Sequence, residues 1–341
     1  MEAEVRPVES SVRSARTTDN RQPTTIFPLF PQNMKSDVAI VIVTYNSEGQ
    51  IRECLESVFK QRRSVSQQVI VVDNESRDGT AEVIRNEFPE AQLILPGENL
   101  GFAKGVNLGA RHADADFVLL LNPDTVILDH AVDVIVEFAR AHPSHGLYGG
   151  RTLRPDGSLE PSSCWGVPTL WSMALFASGI TTLASKNRWL DPESLGSWKR
   201  DSVREVGVIT GCFLLTPLNL WNELGGLDER YFMYGEDVDF AMRAKAAGYR
   251  PVICPDAKLV HEVGQSSDTP AHKMLLLYRG KASLVRTHWQ GPARKFGLFL
   301  LAAGTALRAT AAHIISIIHK PKASGRWQIL WQKRDEWLAG Y

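Results

Sequence analysis

Hydrophobic residues along this chain follow two alternating patterns. Val38 to Val43 is an unbroken apolar, β-branched run, which predicts a strand buried on both faces. The next segment, "SEGQIRECLESVFKQ", switches to helical spacing, with Ile51, Cys54, Leu55, Val58 and Phe59 on one side. The alternation then repeats. A strand "QVIVVDN" is followed by a helix "DGTAEVIRNEF", entered through Asp78-Gly79-Thr80 as turn and N-cap. Then come a strand "AQLILPG", a helix "FAKGVNLGARHA" and a strand "DFVLLLN". Such short alternation predicts an α/β fold with a mostly parallel sheet flanked by helices. Ligands of such sheets bind beyond the C-terminal ends of the strands. Those ends are polar here: Thr44-Tyr45-Asn46, Asp73-Asn74, Glu98-Asn99 and Asn122-Pro123-Asp124. Any one of them is explained by turn formation; all of them in succession point to one crevice.

From 151 the pattern loosens. "RPDGSLEPSS" reads as a turn or hairpin, and 165 to 204 has no clear period. "VGVITGCFLLTP" predicts a strand pair around Gly207 and Gly211, "EDVDFAMRAKAAGY" a helix closed by Gly248, and "RPVICPDAKLVHEVG" further strands. The last seventy residues read as mostly helical. The expected plan is a disordered polar leader over 1–35, a domain over 36–270 with halves 36–150 and 151–270, and a basic, amphipathic C-terminal region over 271–341.

Composition adds limits. With 44% hydrophobic and 22% charged residues in 341, a real core can be buried. Zero formal net charge argues against a nucleic-acid binder. That zero hides an asymmetry, because 271–341 holds twelve Lys/Arg against two Asp/Glu. An acidic body with a basic end fits an anionic surface as neighbour. Cys54, Cys164, Cys212 and Cys254 are widely spaced without a CxxC pair, so reduced thiols in the cytoplasm are expected rather than a disulfide framework or zinc site.

The ordered set "VIVTYN", "VDNESRDGT", "ENLGFAKGVNLG", "LLLNPDT" and "GGLDERYFMYGEDVDFAMRAKAAGY" followed by "VHEVGQS" resembles the family-2 glycosyltransferases of the GT-A fold, most closely the rhamnosyltransferase branch, over roughly residues 37 to 268. The resemblance implies a nucleotide-sugar in the crevice and transfer of its sugar, with inversion, to an acceptor hydroxyl. Negative charge then builds on a departing diphosphate, and Mg²⁺ or Mn²⁺ held by carboxylate oxygen is the usual aid. By resemblance Asp124 is the metal-binding carboxylate and His261 a second ligand. Asn122 replaces the first Asp of the family's DxD form, so metal affinity is expected to be weaker. Asp237 is the implied general base, and Glu236 orients the acceptor or supports the loop. Asp239 is a solvated or structural helix residue. The aromatic run Tyr231 to Tyr234 fits a sugar-binding wall.

Asp73 corresponds to the residue that pairs with the imide edge of uracil or thymine, with Thr44, Tyr45, Asn46 and Asn74 around base and ribose. Asn99, Gly101, Phe102, Gly105 and Asn107 form a loop entering a helix, where close backbone approach and the helix N-terminus favour phosphate. Gly211 would let backbone approach the donor sugar, whereas Gly109 suits helix packing. The leading donor by resemblance is dTDP-L-rhamnose, and the acceptor a glycan or polyprenyl-linked glycan. A non-catalytic sugar-nucleotide or glycan-binding protein on the same scaffold is the alternative, and Asn122 leans toward it. A nicotinamide dehydrogenase would need a glycine fingerprint that is missing.

"KFGLFLLAAGTALRATAAHIISIIHKPK" raises a separate question. It nearly reaches the ~20 apolar residues of a spanning helix, but Arg308 near its middle would cost roughly 2.5–3.5 kcal/mol there. Phe296, Leu300, Ala303, Leu307, Ile314 and Ile318 form one stripe. Arg294, Lys295, Lys320, Lys322, Arg326, Trp327, Trp331 and Trp337 flank it. A peripheral contact of 294–337 with the inner face of the cell membrane fits. Packing on the catalytic domain, or on a second subunit of a homo-oligomer, fits equally.

Overall fold

The computed structural model describes residues 25–26, 35–185, 187–262, 269–318 and 325–341. The first half contains β1 (Thr25–Ile26), β2 (Ser36–Thr44), α1 (Glu48–Lys60), β3 (Gln67–Asp73), α2 (Thr80–Glu87) and β4 (Gln92–Leu95). It continues with α3 (Phe102–Ala110), β5 (Ala115–Leu121), β6 (Thr125–Ile127) and α4 (Ala131–Ala141). β2 pairs in parallel with β3 on one side and β5 on the other, and β3 with β4. The chain therefore steps outward from β2 to β4 and returns across β2 to β5. That reversal opens a crevice at the C-terminal end of β2.

β2 shows why the apolar run is unbroken. Val38, Ile40 and Ile42 join a core with α1, α2 and α4, while Ala39, Val41 and Val43 join another with α3, on the opposite face. Each face buries alternate residues, so no position is left for a polar side chain.

The second half supplies β7 (Tyr148–Leu153), β8 (Cys164–Trp165), α5 (Leu170–Ser178), α6 (Ile180–Leu183), β9 (Arg204–Glu205) and β10 (Val208–Ile209). β11 (Phe213–Pro217), α7 (Leu218–Glu223), α8 (Glu236–Ala246) and β12 (Val252–His261) follow. β11 runs antiparallel to β5 and continues the same sheet through β7, β12 and β6. The sheet is thus mixed but mostly parallel, and one sheet crosses both halves. α9 (Pro270–His288), α10 (Gly291–Ile318), α11 (Gly325–Gln332) and α12 (Arg334–Ala339) form the C-terminal extension, with α5 contributing to its separate apolar cluster.

The leader differs from expectation at one place. Thr25–Ile26 pairs antiparallel with β4, since β4 is otherwise an edge with unpaired backbone groups. The remaining leader residues, 1–24 and 27–34, lie outside the described residues, as do 263–268 with the "VGQS" part of the histidine motif, and 319–324 with Lys320 and Lys322. All four cysteines are buried thiols without a bridge.

Candidate functional site

At the end of β2, Thr44 Oγ1 donates to Asp73 Oδ1 at 2.7 Å. Asp73 also accepts from Ser76 Oγ at 2.5 Å and, through Oδ2, from the Ser76 backbone at 3.1 Å. Ser76 Oγ in turn accepts from the Asn46 backbone, and Asn46 Oδ1 from the Arg77 backbone, both at 2.8 Å. Asn46 holds a left-handed conformation at φ 50°. The result is a rigid cup with a buried carboxylate at its base. Oδ2 keeps acceptor capacity beyond its single internal bond. Tyr45 stands exposed on its rim. Ser76 was not singled out in the sequence; the tendency of Asp and Ser side chains to bond nearby backbone is the local signal that could have found it.

Asn74 Nδ2 donates to the Gly101 carbonyl at 3.1 Å, and the Asn99 side chain accepts from Gly101 N at 3.0 Å. Gly101 has φ +78°, and a Cβ there would lie 2.5 Å from the Phe232 carbonyl, so only glycine fits. Phe102 N donates to that same carbonyl at 2.8 Å, which ties the α3 entrance to the aromatic run. Two neighbours expected to contact nucleotide have other work. A Cβ on Gly105 would press on Val43, so this glycine lets α3 lie on the sheet. Asn107 is buried, and its amide is engaged by Leu227 N, Leu227 O and Glu229. It braces the turn before the aromatic run. Both lie further along α3, past the first turn where free N–H groups are offered.

The end of β5 leads to the second cluster. Asn122 N donates to the Cys212 carbonyl at 3.1 Å. Asp124 Oδ1 lies 3.4 Å from His261 Nε2, brought there because β6 and β12 pair Thr125 with His261. His261 Nδ1 lies 3.4 Å from Ser162 Oγ, a neighbour that orients the ring. An oxygen and a nitrogen this far apart suit adjacent positions on one hard cation, since ligands about 2.1 Å from a metal at right angles are about 3 Å apart. Among the described residues there is no group of three or more His, Cys, Asp or Glu able to hold a metal. The donor set is therefore a pair, which fits an ion that takes its other ligands from phosphate and water.

Asp237 opens α8 and reaches toward the same place. It accepts from the backbone N–H groups of Gly211 and Val238, the latter at 2.8 Å. A Cβ on Gly211 would lie 3.1 Å from the Phe102 ring. The Cys212 thiol is pushed up to about 12, first by burial and then by the charges of both Asp124 and Asp237. The two turns are also tied through backbone: Asp237 accepts from Gly211 N–H, and the carbonyl of the next residue, Cys212, accepts from Asn122 N, two positions before Asp124. Asp237 remains partly exposed, yet burial by surrounding atoms raises its carboxyl above the ordinary range despite the N–H donors and the helix terminus. Glu236 beside it is buried, and its carboxyl is held well above the usual range by burial and then by the Asp237 charge.

Asp239 proves structural and not solvated. It is buried, bonded to Arg243 Nε and to His288 Nε2, each at 2.7 Å, and so pins α8 to α9. Of the aromatic run, Tyr231 is core, with its ring against Tyr341. Phe232 is the exposed member, beside Gly101. Tyr341 Oη donates to the Met233 carbonyl at 2.6 Å, a brace the sequence gave no sign of. A cavity of about 250 Å³ lies elsewhere, lined by Phe176, Met242, Lys281 and Trp289 among others, and contains none of these site residues.

Residues 39–191 match the family model Glycosyl transferase family 2. The N-acetylglucosaminyl-diphospho-decaprenol L-rhamnosyltransferase of Mycobacterium tuberculosis is 32% identical over 253 residues, covering 69% of this chain and 78% of its own. The low-salt glycan biosynthesis hexosyltransferase Agl10 of Haloferax volcanii is 25% identical over 258 residues, 73% of this chain and 76% of its own. Among solved structures, the mannosyltransferase PcManGT from Pyrobaculum calidifontis in complex with GDP-Man and Mn²⁺ superposes with a TM-score of 0.52 at 17% identity, over 92% of this chain and 89% of that one. That likeness carries the GT-A fold alone.

Proposed function

Because the chain belongs to glycosyltransferase family 2, we propose that it transfers L-rhamnose from dTDP-L-rhamnose, with inversion, to a hydroxyl of a polyprenyl-diphosphate-linked glycan. The rhamnosyl donor and lipid-linked acceptor are supported by the name of the mycobacterial relative. The observation that carries the catalytic reading is Asp237: a partly exposed carboxylate, raised by burial, held by the N–H of Gly211 next to the Cys212 whose carbonyl anchors the Asn122–Asp124 turn.

In this reading the Asp73 cup takes the pyrimidine, its carboxylate accepting from the ring N–H. The loop at Asn99 and Gly101 offers backbone to the diphosphate at the start of α3. Asp124 and His261 hold Mg²⁺ or Mn²⁺, which when bound neutralises charge on the diphosphate. The acceptor oxygen approaches the anomeric carbon from the side opposite the diphosphate. Its proton passes to Asp237 as the new C–O bond forms and the nucleoside diphosphate leaves with the electron pair. A raised carboxyl is the better base, since proton transfer is most effective when its pKa nears the working pH. Glu236 supports the loop that presents Asp237.

The test is release of nucleoside diphosphate from a panel of sugar nucleotides with Mn²⁺ or Mg²⁺, with and without a polyprenyl-diphosphate-linked acceptor. dTDP-L-rhamnose is expected to give the highest acceptor-dependent rate, and Asp237→Asn to lower it by roughly 10²–10⁴-fold. Binding of the donor with no turnover under any condition would favour a sugar-nucleotide-binding protein instead.

A further inference from the structure

α10 is built the wrong way round for a helix facing water. Its inner side lies against α5, α9 and α11 and carries small or apolar residues such as Gly297, Leu301, Gly304, Thr305 and Ala312. Its internal cation also turns inward. Arg308 donates to the Phe176 carbonyl at 2.6 Å and lies over the Phe176 ring at 4.1 Å. The outer side carries Phe296, Phe299, Leu307, Ile314, Ile315 and Ile317, each at least 50% exposed and Ile317 73%. At 3.6 residues per turn, all but Ile315 fall within an arc of about 80°, and the stripe runs about 32 Å. The helix contains no Asp or Glu.

The stripe does not stand alone. On α5, which packs on α10, Trp171 is 58% exposed, and on α6, which packs on α5, Leu183 is 90% exposed. Arg294 and Lys295 are exposed at the start of the stripe, within a region of twelve Lys/Arg against two Asp/Glu. An apolar band with cations at one end is complementary to acyl chains below anionic headgroups.

We propose that the outer face of α10, with the α5–α6 corner, seats this protein on an anionic lipid bilayer. The length of α10 would allow it to cross one. Its inner face, however, is occupied by protein, and Arg308 is engaged there, so lipid can cover only one side. The helix lies in the interface plane with its apolar stripe down and Arg294 and Lys295 at the lipid phosphates. This inference does not depend on which donor or acceptor the crevice takes.

The test is flotation of the full chain with phosphatidylglycerol–phosphatidylcholine vesicles and with phosphatidylcholine vesicles alone, at low and high salt. Phe299→Glu and Ile317→Glu alter exposed positions, and thermal melts verify that each variant folds. The wild type is expected to float with anionic vesicles, less so at high salt, and each variant to partition about tenfold or more weakly. Absence of binding at low salt, or binding unchanged in both variants, overturns the proposal. So does retention in membranes through alkaline carbonate washing, which would make α10 a spanning helix. A dimer broken by Phe299→Glu without vesicle binding would assign the face to a second copy and overturn it equally.

Discussion

Replacing Glu236 by glutamine exchanges a buried carboxyl for a neutral group of the same shape. Glu236 Oε2 has no hydrogen-bond partner among the described residues, and burial and the Asp237 charge both raise the carboxyl. Its folded pKa therefore lies above the unfolded value of about 4.3. Below that unfolded value both states hold the proton and the group carries no penalty. As pH rises toward the folded pKa, the unfolded chain releases the proton while the folded one keeps it, so stability falls through that window. Above it the buried charge is fully penalised. Glutamine does not titrate. Taking about 1–3 kcal/mol for an unpaired buried polar atom, and about 2–4 °C of melting temperature per kcal/mol, the variant should melt about 2–12 °C above wild type at pH 8. The difference should shrink toward zero near pH 4. Thermal melts followed by circular dichroism at pH 4.5, 6 and 8 measure it. A variant less stable than wild type at pH 8, or a difference independent of pH, would refute the reasoning, because the carboxylate would then be charged and well partnered.

Other expectations are simpler. The acid limb of the kcat/KM profile should lie above the ordinary carboxylate range, because the Asp237 carboxyl is raised, with activity climbing as pH rises through it; Asp237→Asn should abolish that limb along with most of the rate. Asp124→Asn and His261→Ala should each raise the Mn²⁺ concentration for half-maximal activity at least about tenfold, measured by metal titration at saturating donor. Tyr341→Phe removes the bond to the Met233 carbonyl while keeping the ring against Tyr231, and should cost about 0.5–1.5 kcal/mol in a denaturant titration, with kcat lowered more than KM.

The strands of the first half were legible because burial on both faces leaves no choice of residue. Val38 to Val43 could hardly be anything else. The polar strand ends were legible for the complementary reason: Asp73 and Asp124 interrupt apolar runs where the sheet stops. What could not be read were partners supplied by distant chain. His288 reaches Asp239 across 49 positions, Tyr341 reaches Met233 across 108, and Ser162 reaches His261 across 99. No local period encodes such a meeting, because it depends on how α9, α12 and β12 pack. Gly105 and Asn107 were harder to place for a related reason. Motif spacing shows that they lie on α3, but only the placement of α3 on β2 decides which side meets the crevice. In α10 the stripe was legible while its orientation was not: Leu300 turned inward, Phe296, Leu307 and Ile314 outward, and the side chain of Ile318 lies outside the described residues.

Several of the costs in this fold lie on the loops at the strand ends and before α8. Asn46, Glu75 and Tyr234 adopt left-handed backbone without being glycine, and Asn74 Oδ1 and Glu236 Oε2 are buried without partners among the described residues. Each is worth on the order of 1–3 kcal/mol against folding, and they persist only where surrounding structure fixes them. For the loop before α8 that support is α9. Gly280 of α9 packs so closely on the Tyr234 carbonyl that a Cβ would lie 2.1 Å from its oxygen, a clash no side chain could relieve. His288 of α9 holds Asp239, and Arg279 Nε of α9 donates to the Gly340 carbonyl at 2.9 Å, beside the Tyr341 that braces Met233. The opposite side of α9 packs on α10 and α11. A single helix therefore stands between the raised carboxylates of the crevice and the outward apolar stripe of α10. The C-terminal extension is then no appendage to the sheet: it is the buttress that holds the loop carrying the two raised carboxyls, Glu236 and Asp237.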